Sequence, residues 1–223
     1  MLTTTSLLRA EARACYDERA MRALALIAGL CACLCVSLAA AQDGGLVPGN
    51  QAKFDQGAAA FDAGDYATAF KVFSKLAKHG DLAAMRNVAL MQRKGLGTDK
   101  DPKAAQELYL YVAHAGLPTA QYDLAEMLLN GEAGDPDPKG ALRWLLLAAG
   151  ANHPLAQYEL GKMYEAGTVV PRDLAKARSL YEAAAARGVW DATVRLAALK
   201  GEPPPKPPTQ PGLQPAEPVG GQQ

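Results

Sequence analysis

Between Pro154 and Ala166 the side chains Leu155, Tyr158, Leu160, Met163 and Tyr164 fall on one broad helical stripe. Gly167 ends that pattern. A second helix is predicted from near Asp173, whose carboxylate can accept a hydrogen bond from a free N–H of the first turn. It continues through Ala177, Leu180, Tyr181, Ala184 and Ala185, again at helical spacing, and Gly188 closes it where a left-handed backbone is favoured. The segment therefore predicts a helical hairpin.

The hairpin recurs with a period of thirty-six residues. Ala84, Ala120, Ala156 and Ala192 are equally spaced, as are Asp65, Asp101, Asp137 and Asp173. Two more series, from Ala69 to Ala177 and from Ala77 to Ala185, keep the same step. Gly80 and Gly116 recur as Gly188, with Asn152 in the intervening slot, and Asn tolerates the left-handed conformation well. Pro118 and Pro154 stand where a following helix begins and a missing N–H costs nothing. Small residues such as Ala84, Ala89, Ala125 and Gly161 let backbones approach, and larger Leu, Tyr and Met side chains fill the grooves beside them. No hairpin can bury its own stripe, so neighbours must stack.

The pattern Ala156-x-Tyr158-x-Leu160-Gly161-x-Met163-Tyr164-x-x-Gly167, followed by Asp173-x-x-Lys176-Ala177-x-x-Leu180-Tyr181-x-x-Ala184-Ala185-x-x-Gly188, resembles the Sel-one-like repeat, a relative of the tetratricopeptide repeat with a longer loop inside each unit. The copies from Ala84 to Gly116 and from Ala120 to Asn152 resemble it with departures: Ala89 and Ala125 replace the Gly, Gln92 and Leu128 the Tyr, and Ala104 and Gly140 the Lys. Residues 50–80, with the short turn Ala63-Gly64-Asp65, are closer to a plain tetratricopeptide repeat. The resemblance runs from about Phe54 to Lys200 and implies an all-α fold, a right-handed α-solenoid of antiparallel helix pairs with a C-terminal capping helix. The expected division is a helix pair at 50–80, repeats at 81–116, 117–152 and 153–188, and a capping helix at 189–200.

The flanks read differently. Arg22 precedes a long apolar run through Leu38, and Ala39-Ala40-Ala41 puts small residues where a signal peptidase reads. Residues 1–41 are expected to be an N-terminal extension and signal peptide, with Met21 as the natural start, cleavage after Ala41 and a linker at 42–49. All four cysteines, Cys15, Cys31, Cys33 and Cys35, lie in that segment, so cleavage leaves no disulfide and no thiolate chemistry. Leu30-Cys31-Ala32-Cys33 loosely resembles a lipoprotein processing box, which would attach lipid at Cys33, although the apolar run continues past it. The signal segment and that lipidation are the only expected membrane contacts. The chain is expected to be bacterial and exported, periplasmic or secreted. Residues 201–223 hold eight prolines and few apolar residues, which predicts a disordered tail sampling polyproline II.

Removing residues 1–41 leaves 19 basic and 20 acidic residues, so no clustered positive charge points to a nucleic-acid partner. No phosphate loop, dinucleotide fingerprint or His-Glu-x-x-His helix is present, and no cofactor is expected. His79, His114 and His153 fall near second-helix ends of successive copies. Neighbouring helices pack about 8–10 Å apart, too far for a shared metal, and these residues are read as polar partners of free C-terminal carbonyls. The recurring aspartates are read as N-caps, and Ser37, Ser74 and Ser179 lack the surroundings of a nucleophile.

The related tetratricopeptide fold lines a groove with its first helices. By that resemblance the groove positions are Arg86, Leu90, Arg93 and Lys94, then Tyr122, Glu126, Leu129 and Asn130, then Tyr158, Lys162 and Glu165. The two tyrosines admit a second reading, as packing between repeats. The expectation is a non-catalytic exported scaffold or adaptor that holds a protein or peptide partner. The alternatives are a lipid-anchored envelope assembly factor and a cell-wall-acting enzyme.

Overall fold

The structure, a computed structural model, describes residues 49–206. The predicted signal segment, its cleavage after Ala41, Cys33 and most of the proline-rich tail lie outside the described residues. The described residues are helices and short connections, without strands, and they divide after Leu117 into two compact units.

The first unit holds α1 (Gln51–Asp62), α2 (Tyr66–Ala77), α3 (Leu82–Lys94) and α4 (Pro102–His114). Helices α1 and α2 pack as one hairpin and α3 and α4 as the next, and α2 packs on α3. Ala69, Phe73, Leu76, Ala84, Val88 and Met91 form its buried core, with Phe54, Phe61 and Phe70 packed against them. The second unit holds α5 (Pro118–Asn130), α6 (Pro138–Gly150), α7 (Pro154–Ala166), α8 (Leu174–Ala186) and α9 (Trp190–Lys200). Here each helix packs on the next in sequence, and α9 closes the series against α8. The fold class is that expected: an α-solenoid of antiparallel helix pairs with a final helix.

The periodic residues have periodic environments. Ala84, Ala120, Ala156 and Ala192 are all fully buried, and so are Ala69, Ala105, Ala141 and Ala177. Asp65, Asp101, Asp137 and Asp173 each cap a second helix, the carboxylate accepting the backbone N–H three residues on at 2.9–3.1 Å. That hydrogen bond satisfies one of the orphan donors of the first turn. Asn152, at φ 63°, is the one non-glycine residue of left-handed conformation among the described residues, in the slot that glycine fills elsewhere.

A small residue facing a large one seats each hairpin. A Cβ on Gly161 would stand 2.6 Å from Cε1 of Tyr181, and one on Gly57 would stand 2.9 Å from Cε1 of Phe73. Three residues join α1 to α2, whereas seven join α3 to α4, so Gly57 occupies the place of Ala89, Ala125 and Gly161 without keeping the thirty-six-residue step. Leu155, read from the sequence as part of the core stripe, is instead 42% exposed. It sits in the first turn of α7.

Candidate partner-binding surface

Arg86, Leu90 and Arg93 stand one and two turns apart on α3, which places them along one face of that helix. Arg86 and Leu90 border a cavity of about 200 Å³, with Asn87 beside them. Ala58, Phe61 and Asp62 of α1 and Phe73 of α2 complete it. Its aromatic walls are held by neighbouring rings. Phe61 meets Tyr66 edge to face at 5.2 Å, and Phe54 lies 5.3 Å from Phe73. The cavity is therefore a small apolar seat with a guanidinium and a carboxylate at its rim, sized for one side chain of a partner. Arg93 does not line it and stands in the last turn of α3, where a cation complements the helix dipole.

In the second unit the corresponding positions are engaged by neighbours. The Tyr122 ring stacks on the His153 imidazole, with centroids 4.9 Å apart. His153 Nδ1 accepts the Ala156 N–H at 3.3 Å and caps α7. This corrects the sequence reading of His153 as a partner of helix C-terminal carbonyls: it takes the slot that Asp81 fills for α3, where an acceptor is needed. Glu126 is half-buried, while Asn130 is exposed and donates to Glu132 at 3.3 Å.

Tyr158 lies 5.8 Å from the Tyr181 ring, with the Lys162 ammonium 5.2 Å from its own centroid. Lys162 also pairs with Glu159 at 2.7 Å. The Tyr181 hydroxyl donates to Glu165 at 2.6 Å, and Glu165 faces Arg195 of α9 at 3.5 Å. Burial first, and then the bond to Glu165, hold the Tyr181 phenol protonated well beyond the usual tyrosine range. A hydrogen bond with Tyr158, followed by the Glu165 charge, favours the charged Arg195 guanidinium further. These residues brace α7, α8 and α9 together. Arg195 escaped the sequence reading because the earlier copies carry Asn87, Asp123 and Glu159 at its phase and no basic residue, and Glu165 was placed on the groove although its carboxylate serves the brace.

Among the described residues no group of three or more His, Cys, Asp or Glu side chains is arranged to hold a metal ion, and no helix is long and apolar enough to cross a membrane.

Comparison with known proteins places these features. Among curated proteins none matches the chain. A Sel1 repeat protein from Oxalobacter formigenes is 29% identical, with a TM-score of 0.62, over 68% of this chain and 64% of its own. A protective antigen present in uropathogenic Escherichia coli strains, displaying an SLR fold, is 28% identical with a TM-score of 0.58, over 61% of this chain. This chain thus spans about two thirds of the first protein and 29% of the second. The Sel1 repeat model matches three times in succession, at residues 82–117, 118–153 and 154–189. With three such repeats in succession, each a helix pair in the expected order, the chain belongs to the Sel1 repeat family.

Proposed function

We propose that this chain is an exported, non-catalytic interaction protein of the cell envelope that holds a protein or peptide partner on the first-helix face of its first unit. Sel1 repeats generally mediate protein–protein interaction, and proteins built from them are typically non-catalytic scaffolds. The observation that carries the finer reading is the cavity beside Arg86 and Leu90, an apolar seat with charge at its rim. A partner helix or extended peptide would place one apolar side chain between Phe61 and Leu90 and an acidic residue near Arg86. Tyr122, Glu126, Asn130, Tyr158 and Lys162 of the second unit do not line this cavity and would contribute less.

Export is supported by the apolar run ending at Leu38 and the following Ala39-Ala40-Ala41. Mass spectrometry of the mature N-terminus tests it: Gln42 as first residue agrees with cleavage, and an acylated Cys33 would replace this by a lipid-anchored form. For the partner, capture from an envelope extract with the wild-type protein and with the double variant Arg86→Glu, Arg93→Glu is decisive. A partner recovered by the first and lost by the second is expected. Equal recovery would remove the groove assignment, and substrate turnover by the purified protein would overturn the non-catalytic reading.

A further inference from the structure

The first hairpin carries a second cavity, of about 370 Å³, that shares no residue with the one beside Arg86. Its wall on α2 is a single stripe: Thr68, Lys71, Val72, Lys75 and Leu76 follow one another at spacings of three, one, three and one. Lys53 and Gln56 face it from α1, one turn apart. Leu76 is buried and Val72 half-buried, whereas Lys53, Lys71 and Lys75 are exposed. The cavity thus has an apolar floor and a rim of three ammonium groups.

The repeat frame does not demand this rim. Lys75 stands where the later copies carry Tyr111, Leu147 and Ala183, and Lys71 stands where they carry Glu107, Arg143 and Ser179. Gln56 stands where, allowing for the shorter turn, the later copies bury Val88, Leu124 and Leu160. A terminal hairpin needs a polar outer face, but either sign of charge meets that need. Two lysines of the second unit are neutralised locally, Lys162 by Glu159 and Lys176 by Asp173. Lys53, Lys71 and Lys75 form no ion pair with a carboxylate among the described residues, and Lys71 and Lys75, one turn apart, repel each other. Asp65, three residues before Thr68 of the wall, already accepts from the backbone N–H and the side chain of Thr68. An anion is what relieves that repulsion, and the floor adds a place for hydrocarbon.

We infer that this cavity binds a small organic anion, a carboxylate or phosphate monoester on a short apolar chain, with Lys53, Lys71 and Lys75 around its head and Val72 and Leu76 under its chain. Gln56 adds an amide that can donate to the head. The volume lies at the lower end of the range for small-molecule sites, which begins at about 300 Å³.

Isothermal titration of the full chain with hexyl phosphate, hexanoate and inorganic phosphate tests this. At least one of the two amphiphilic anions should bind, more weakly as salt rises, and the pair of titrations identifies which head is preferred. Lys71→Glu with Lys75→Glu should weaken binding by about tenfold or more. Both sites are exposed, so the helical circular-dichroism signal should stay unchanged, and the Arg86→Glu variant should bind as the wild type does. Failure of both amphiphiles to bind, or binding unaffected by the lysine substitutions, would overturn the site. Inorganic phosphate binding as tightly as hexyl phosphate would overturn the role of the apolar floor. Because Arg86 plays no part, this result stands or falls independently of the partner groove.

Discussion

On α3, Arg86 and Leu90 border a cavity; on α7, the same repeat positions, Tyr158 and Lys162, lie against Tyr181 and Glu159. The two units share one backbone frame and differ in what fills it. In the first, aromatic side chains from α1 and α2 form the walls of an apolar seat. In the second, the phenols of Tyr158 and Tyr181, the Glu165 carboxylate and the Arg195 guanidinium tie the last three helices together. Equivalent positions can therefore border a cavity in one copy of the repeat and pack against neighbouring helices in another, with no change in helix order.

The largest effect should come from filling the small-residue contact in the braced unit. Gly161→Val would drive side-chain carbon into the Tyr181 ring, and overpacking of this kind costs about 1–3 kcal/mol. Urea denaturation followed by circular dichroism should show the loss, and a variant as stable as the wild type would contradict the close approach. Next is partner binding. Leu90→Glu, which puts a charge on the apolar wall, should weaken a captured partner by about tenfold or more, as burying an uncompensated charge does. Comparable weakening from Lys162→Glu would dissolve the distinction between the units.

Smaller effects probe the brace itself. Tyr181→Phe removes one hydrogen bond to a partly exposed acceptor and should cost about 1 kcal/mol, read from the same urea curves. The Tyr181 phenol is held protonated in the folded chain, whereas an unfolded tyrosine ionises near pH ~10. Its contribution is therefore complete below that pH and declines as pH rises above it. Stability measured between neutral and strongly alkaline pH should fall less steeply in Tyr181→Phe than in the wild type. The smallest effect concerns the N-caps. A hydrogen bond from Thr68 lowers the Asp65 carboxyl, and the Lys176 N–H lowers that of Asp173. Their stabilisation is present above the ordinary carboxylate range and is lost as pH falls through the lowered folded values. Asp65→Asn with Asp173→Asn should flatten the acid limb of a thermal-stability profile.

The helices were legible because their signals are local: capping aspartates, left-handed glycines and helix-starting prolines each act within one turn. The buried positions were legible because the alanine series repeat in step. The use of each surface position was less so. Phase puts Tyr122 and Tyr158 on the first-helix face, but whether a ring points to a partner or to its neighbour depends on His153 and Tyr181, which lie on other helices. Likewise Gly57 falls out of register because one loop is shorter, and only the packing of Phe73 against it reveals the equivalence. Arg195 stands where the earlier copies carry Asn87, Asp123 and Glu159, so no recurring basic residue marked it.

The division of labour between the two units is tested most directly by titrating the captured partner against Leu90→Glu and Tyr158→Ala side by side. A loss of affinity of about tenfold or more for the first and less than about threefold for the second is predicted. The reverse order would contradict the account, since it would put the partner on the braced unit and leave the Arg86 cavity without a role.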